Sequence, residues 1–309
     1  MSRLKLRRAV VVALLTLATV GAAAPADDAG AAARPDSGSA AVRPSYARTG
    51  GVRAAEPVVR RPSVDVTVMS FNVCGGVCRG GEVDRTAAFT AGTAVRRRAS
   101  VVLLQEVCHA QYVRIRALLA RDGYTGRFAA GTQAGRCDDH DRRHGRGFGV
   151  AVLVRGHAAG TVVRRLPTPS GAEGRVLLGT TATVGGRRTF VAVVHLSPSP
   201  ETGLAGQLRA VAAYLTPRAG RPVIVGGDFN ALPTAAGMSR FYAGDAGGTG
   251  RFVEMDRRHG GAPTFDVANR KIDYVFVSEG LFAEHRAASI GTAMSDHRLY
   301  IGTARVNQP

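Results

Sequence analysis

Along residues 64–72 apolar and polar positions alternate and β-branched residues dominate, the pattern of a strand with one buried face. Residues 82–98 carry helical spacing and close on Arg96-Arg97-Arg98, cations placed where a helix end favours them. Residues 100–105 read as a short buried strand. Strand, helix, strand in that order predicts a parallel pair, because parallel strands need a crossover between them. A second helix is expected over 109–120. Strands follow at 148–154, 161–166, 176–184 and 187–194, the last two joined by a two-residue turn at Gly185-Gly186. Helical spacing returns at 204–215 and 234–242, around a buried strand at 222–225. Residues 272–277, 281–289 and 299–306 close the chain as strands. Many strands and few helices, without an internal repeat, suit two packed sheets flanked by helices.

The first residues break this pattern. Arg3, Lys5, Arg7 and Arg8 precede an apolar run over 9–24 that is short for a membrane span, and Ala24-Pro25-Ala26 is a small-x-small cleavage site. Residues 1–26 are therefore expected to be a signal peptide and the protein to be exported. Residues 27–62, rich in Ala, Gly, Pro, Ser and Arg without periodicity, are expected to be a disordered linker. A single catalytic domain would occupy 63–309.

Charge changes the picture further. The chain of 309 residues carries 41 basic and 23 acidic side chains, net +18. Only Lys5 and Lys271 are lysine, so the excess is arginine, whose planar fork suits phosphate. Removing the four cations of the leader and a net +2 in the linker leaves +12 on the domain. Such a surface points to nucleic acid or another polyanion, and residues 136–146 form a polar loop that carries four arginines. Four cysteines in an exported chain favour two disulfides over a zinc site, since their spacing matches no common zinc module.

Candidate chemistry sits where apolar strands end. Val225-Gly226-Gly227-Asp228-Phe229-Asn230 sets a carboxylate and an amide two apart, so both leave one face of extended chain. Further polar clusters stand at the ends of other apolar strands: Ser70-Phe71-Asn72, Leu104-Gln105-Glu106, Val194-His195-Leu196, and Ile272-Asp273-Tyr274 followed by Ser295-Asp296-His297. In this order, over roughly residues 63 to 306, the clusters resemble the endonuclease/exonuclease/phosphatase superfamily, to which pancreatic deoxyribonuclease belongs. The resemblance implies an α+β fold, a four-layer α/β/β/α sandwich of two mixed sheets.

It also implies roles. Glu106, Asn72 and Asp296 would serve a magnesium ion, with manganese or calcium as alternatives, since hard cations take oxygen ligands. His195 would meet the phosphate, and Asp228 would position or deprotonate water with Asn230 holding its partners. Asp273 would orient His297 and favour its charged form, which bonds the scissile phosphate. One departure stands out. Many members carry a tyrosine, and some a glutamate that pairs the first histidine, ahead of the strand at Gly149. Here the run is His144-Gly145-Arg146-Gly147-Phe148. Arg143 or Arg146 is the candidate phosphate binder in its place, and the partner of His195 is left open. Of the three disulfide pairings, Cys74–Cys78 with Cys108–Cys137 closes local loops beside the cleft, and Cys74–Cys108 is its rival. The reading is a secreted, monomeric, metal-dependent nuclease acting on DNA or RNA. The alternatives are a sphingomyelinase-type lipid phosphodiesterase, an inositol-phosphate phosphatase and an inactive binding module. The absence of tryptophan counts against the lipid enzyme, which would want an aromatic hairpin in the bilayer.

Overall fold

The computed structural model describes residues 64–132, 137, 147–256 and 261–308. Strand β1 (Val64–Asn72) runs parallel to β2 (Val101–Cys108) through helix α1 (Val83–Arg96), as the strand–helix–strand pattern requires. Helix α2 (His109–Ala120) leads to β3 (Tyr124–Thr132), β4 (Phe148–Arg155), β5 (Ala158–Arg165), β6 (Val176–Val184) and β7 (Arg187–His195). Helix α3 (Leu204–Leu215) precedes β8 (Val223–Asp228), the short β9 (Phe252–Glu254), β10 (Asp273–Ser278), β11 (Phe282–Ile290) and β12 (Leu299–Val306). Two six-stranded sheets result, ordered β11-β12-β1-β2-β4-β3 and β5-β6-β7-β8-β10-β9.

The layers follow from which face each strand side chain takes. Val66, Val68, Val101 and Leu103 of the first sheet meet Leu178, Val193, Ile224 and Val275 of the second in one buried cluster between the sheets. The alternate residues Met69, Phe71, Val102 and Leu104 turn outward beneath α1 and α2. On the other flank, Leu208, Val211 and Leu215 of α3 cover Ala192, Val194, Val223 and Val225. Strands β2 and β8 are therefore apolar on both faces, which is why each reads as an unbroken run in the sequence. Helices, sheet, sheet and helix make the four-layer α+β sandwich the motifs implied. The Gly185-Gly186 turn has positive φ at both positions, 55° and 81°, the backbone that a two-residue hairpin needs.

Two local expectations change, and the disulfide pairing does not. Residues 234–242 form no α-helix; a single 3-10 turn at Met238–Arg240 ends on Phe241, whose ring packs at 5.1 Å from Phe229. Tertiary packing of that aromatic overrides the local spacing. Strands β3 and β9 were not predicted: β3 is rich in glycine and alanine and owes its place to pairing with β4. The four cysteines form Cys74–Cys78 and Cys108–Cys137, leaving none free to bind zinc. The leader and linker, residues 1–62, lie outside the described residues, as do Arg143 and Arg146.

Candidate active site

Sheet register assembles half of the site. In the second sheet His195 is level with Asp228 across the parallel β7–β8 pair, and Asp273 is level with Asp228 across β8–β10. Three ionisable residues thus end three neighbouring strands. Gly227 makes this possible: a Cβ there would lie 2.0 Å from the carbonyl oxygen of Val194, and its φ is +137°. Asp228 Oδ1 accepts the backbone N–H of Asn230 at 2.8 Å, and Asn230 Nδ2 donates to Leu196 O at 2.9 Å. Asp228 Oδ2 is left facing the cavity. Around it stand Asn72 Nδ2 at 3.2 Å, His195 Nε2 at 3.6 Å and His297 Nε2 at 3.6 Å.

The first sheet supplies the rest, and Glu106 gets there by an irregularity. Leu103 faces the second sheet and Leu104 the helices, so strict alternation would send Glu106 toward the helices. Between Leu104 and Val107 the β2–β4 register shifts by one residue, and Glu106 has φ +52°. This bulge turns the carboxylate into the cavity. There Oε1 accepts from Asn72 Nδ2 at 3.0 Å and lies 3.7 Å from His195 Nε2. Asn72 Oδ1 accepts the backbone N–H of Cys74 at 3.0 Å, so its amide holds the two carboxylates while its oxygen is engaged elsewhere. Ser295 joins this end of β1 to the last motif: its Oγ donates to Asn72 O at 2.8 Å and accepts the His297 N–H at 3.0 Å.

The two histidines are held in opposite states. His297 Nδ1 is 2.9 Å from Asp273 Oδ2. Burial alone would lower its pKa, but Asp273, with Asp228 and Asp296 nearby, pushes it up to about 10. His195 meets a cation instead: Arg175 Nη1 is 2.6 Å from its Nδ1. A guanidinium only donates, so Nδ1 accepts and the proton sits on Nε2. Burial, reinforced by Arg175 and by charged His297, holds its pKa well below the ordinary imidazole value. His195 is therefore a neutral ring pointing an N–H toward Asp228 and Glu106. The carboxylates feel the crowding. Burial, with the neighbouring charge of Asp273, pushes Asp228 up to about 7. Burial also raises Glu106, against the hydrogen bond from Asn72.

A cavity of about 280 Å³ gathers Glu106, His195, Asp228, Asn230, Asp296 and His297 on its wall. Asn72 and Asp273 are buried beside them, so every predicted site residue among those described converges here. Sequence reasoning missed Arg175, which fills the role left open beside His195. Its signal was present: an arginine opening the buried run Val176-Leu177-Leu178 needs a buried acceptor. Arg175 also lies 3.3 Å from Glu173 Oε1. The donor set fits a hard divalent cation: Glu106 and Asp296 offer carboxylate oxygens into one cavity, and the sulfurs near Asp296 are closed in the Cys74–Cys78 bond.

No curated protein matches the sequence. The fold is similar to an endonuclease/exonuclease/phosphatase from Beutenbergia cavernae, with 25% identity, TM-score 0.65, and coverage of 79% of this chain and 72% of that one. It is similar to the human Nocturnin catalytic domain with bound sulfate, at 21% identity and TM-score 0.61, covering 78% and 94%. It is also similar to D. rerio TDP2 complexed with single-strand DNA product, at 18% identity and TM-score 0.58, covering 78% and 98%. Members of the family these folds share hydrolyse phosphoric esters with divalent metal ions. The family model spans residues 69–297, from the strand that carries Asn72 to His297 itself, and the chain belongs to the Endonuclease/Exonuclease/phosphatase family.

Proposed function

We propose that this protein is an exported, divalent-metal-dependent phosphodiesterase whose substrate is nucleic acid. The observation that carries the reading is the division of protonation states around Asp228 Oδ2. A charged His297 and a neutral His195 with its N–H inward offer two donors to a phosphate, while Asp228 is the acceptor between them. A carboxyl group poised at about 7 matches a general base working near neutral pH.

In this scheme Asp228 takes a proton from water as the water oxygen bonds to phosphorus. The bond from phosphorus to the leaving oxygen breaks on the far side. His297, fixed by Asp273, and His195, fixed by Arg175, stabilise the charge that gathers on the phosphoryl oxygens. Asn72 keeps Glu106 and Asp228 apart and oriented. A magnesium, manganese or calcium ion held by Glu106 and Asp296 would neutralise the substrate phosphate and the developing leaving oxygen. Nucleic acid is favoured over lipid by the domain's +12 and by the absence of tryptophan. The leader-like residues 1–26 and the two disulfides support export.

The test is hydrolysis by purified protein of plasmid DNA, RNA and sphingomyelin with magnesium, with manganese and with excess chelator. Metal-dependent cutting of DNA or RNA is expected. Undiminished turnover in chelator would reject the mechanism, and cleavage of sphingomyelin alone would replace the substrate class.

A further inference from the structure

A second cavity lies at the other end of the second sheet. Strands β7 and β8 run parallel, and their C-terminal ends carry His195 and Asp228. Their N-terminal ends, with the turn that follows α3, enclose a cavity of about 770 Å³. Along β7 the two sites are eight residue steps apart, about 26 Å at the usual strand rise. Arg187, Arg188, Arg218 and Arg221 line the cavity, and no carboxylate does. Among the described residues none of the four forms an ion pair, whereas Arg114, Arg251, Arg298 and Arg305 each have an acid within 4.0 Å. Arg188 and Arg221 are exposed. Four guanidinium groups gathered without a counter-charge repel one another, so the arrangement gains most from an anionic ligand.

The walls say which kind. Phe190 lines the cavity, and Tyr214 stands beside it with ring centroids 6.2 Å apart. Arg218 lies 3.7 Å from the Tyr214 ring centroid and Arg164 4.6 Å from it. Half-buried aromatic rings among guanidinium planes are what unpaired bases and their phosphates stack and pair against. A membrane surface would want protruding apolar side chains. The exposed large apolar residues, Val163 and Val267 among them, stand elsewhere than in this wall.

We infer that this arginine-lined cavity is a second nucleic-acid site, which holds the phosphates and bases of a single strand at a distance from the reacting bond. The continuation of that strand to the catalytic cavity rests on the proposed nuclease activity; the binding itself does not. Gly220 offers a clean probe, because a Cβ there meets nothing within 4 Å. Gly220→Glu places a carboxylate among the arginines without a clash.

The experiment measures binding of a fluorescent 20-nucleotide single-stranded DNA by the full chain in excess chelator, so that no cutting occurs, across a salt series. Thermal unfolding of each variant checks the fold. Gly220→Glu and the pair Arg188→Ala with Arg221→Ala should each weaken binding about tenfold or more at low salt with Tm unchanged. The double arginine change should also lower the salt slope by about 1.4, two contacts at roughly 0.7 each for a single strand. This result would stand even if no phosphodiester were hydrolysed. Wild-type affinity in both folded variants would overturn the inference. So would binding of the chain to phosphatidylserine vesicles but not to the oligonucleotide, or binding to neither.

Discussion

At one end of the β7–β8 pair, Asp228 is buried under two histidines and a second carboxylate; at the other, Arg188 and Arg221 stand exposed with no acid beside them. The backbone between the two ends is the same parallel ladder. What differs is how the charge is held. In the catalytic cavity burial dominates, and a named neighbour then opposes or reinforces it: Asp273 overrides it to keep His297 charged, and Arg175 adds to it to keep His195 neutral. In the arginine cavity water screens each group, and only the sum of the charges matters. Substitutions in the first should therefore change chemistry in large, non-additive steps, and those in the second should change affinity in small, additive ones.

The largest expected effect is on the rate. His297→Ala and Asp273→Asn should each reduce hydrolysis by on the order of 10²-fold or more. The double change should cost much less than the product of the two, since the pair acts as a unit. Single-turnover rates for the three variants would measure this. A wild-type rate in His297→Ala on every phosphoester tried would dissolve the contrast between the two ends.

Stability provides the next. The Cys108–Cys137 bond closes a separation of 29 residues, so replacing both cysteines with serine should lower stability by about 3–4 kcal/mol. Denaturant melts would record the fall. Mass spectrometry of the native chain should find none of the four cysteines alkylatable.

The pH dependence sharpens the comparison. The proposed mechanism needs Asp228 ionised and His297 protonated. His297 keeps its proton as pH rises until about 10, and Asp228 loses its proton as pH passes about 7. The rate should rise to a plateau in the neutral to alkaline range and fall as pH approaches the His297 value. Asp273→Asn removes the acid that raises His297, so the alkaline limb should move down by about 1–3 pH units. A pH–rate profile of both proteins tests the direction.

The smallest effect is on one proton. Arg175→Ala removes a cation from His195, so the pKa of that ring should rise, partway only because burial remains the larger cause. The proton also loses its fixed place on Nε2. Imidazole chemical shifts followed against pH would detect the change, and an unaltered His195 titration would show that burial alone sets its state.

How much of this was legible is clearest residue by residue. Asp228 and His195 stood out because each ends an apolar run that only a buried strand explains, and Asp273 because it opens another. Glu106 was found the same way, yet its direction was not: alternation points it toward the helices, and a bulge with positive φ turns it back. The helix expected at 234–242 lost to the packing of Phe241 on Phe229. Arg175 carried a weak local signal, and its partner lies 20 residues away on the next strand.

Hydrophobic period, strand-end polar residues and net charge are properties of neighbours along the chain, so the sequence by itself determined the α+β class, the position of nearly every element and the residue types of the site. Register, bulge and sheet-on-sheet packing depend on contacts between distant segments. They alone decided that Asp228 Oδ2 faces both histidines, that one histidine is charged and the other neutral, and that four arginines from β7 and the turn after α3 share one cavity. Burial converts proximity into protonation state, and burial exists only once the two sheets have closed on each other.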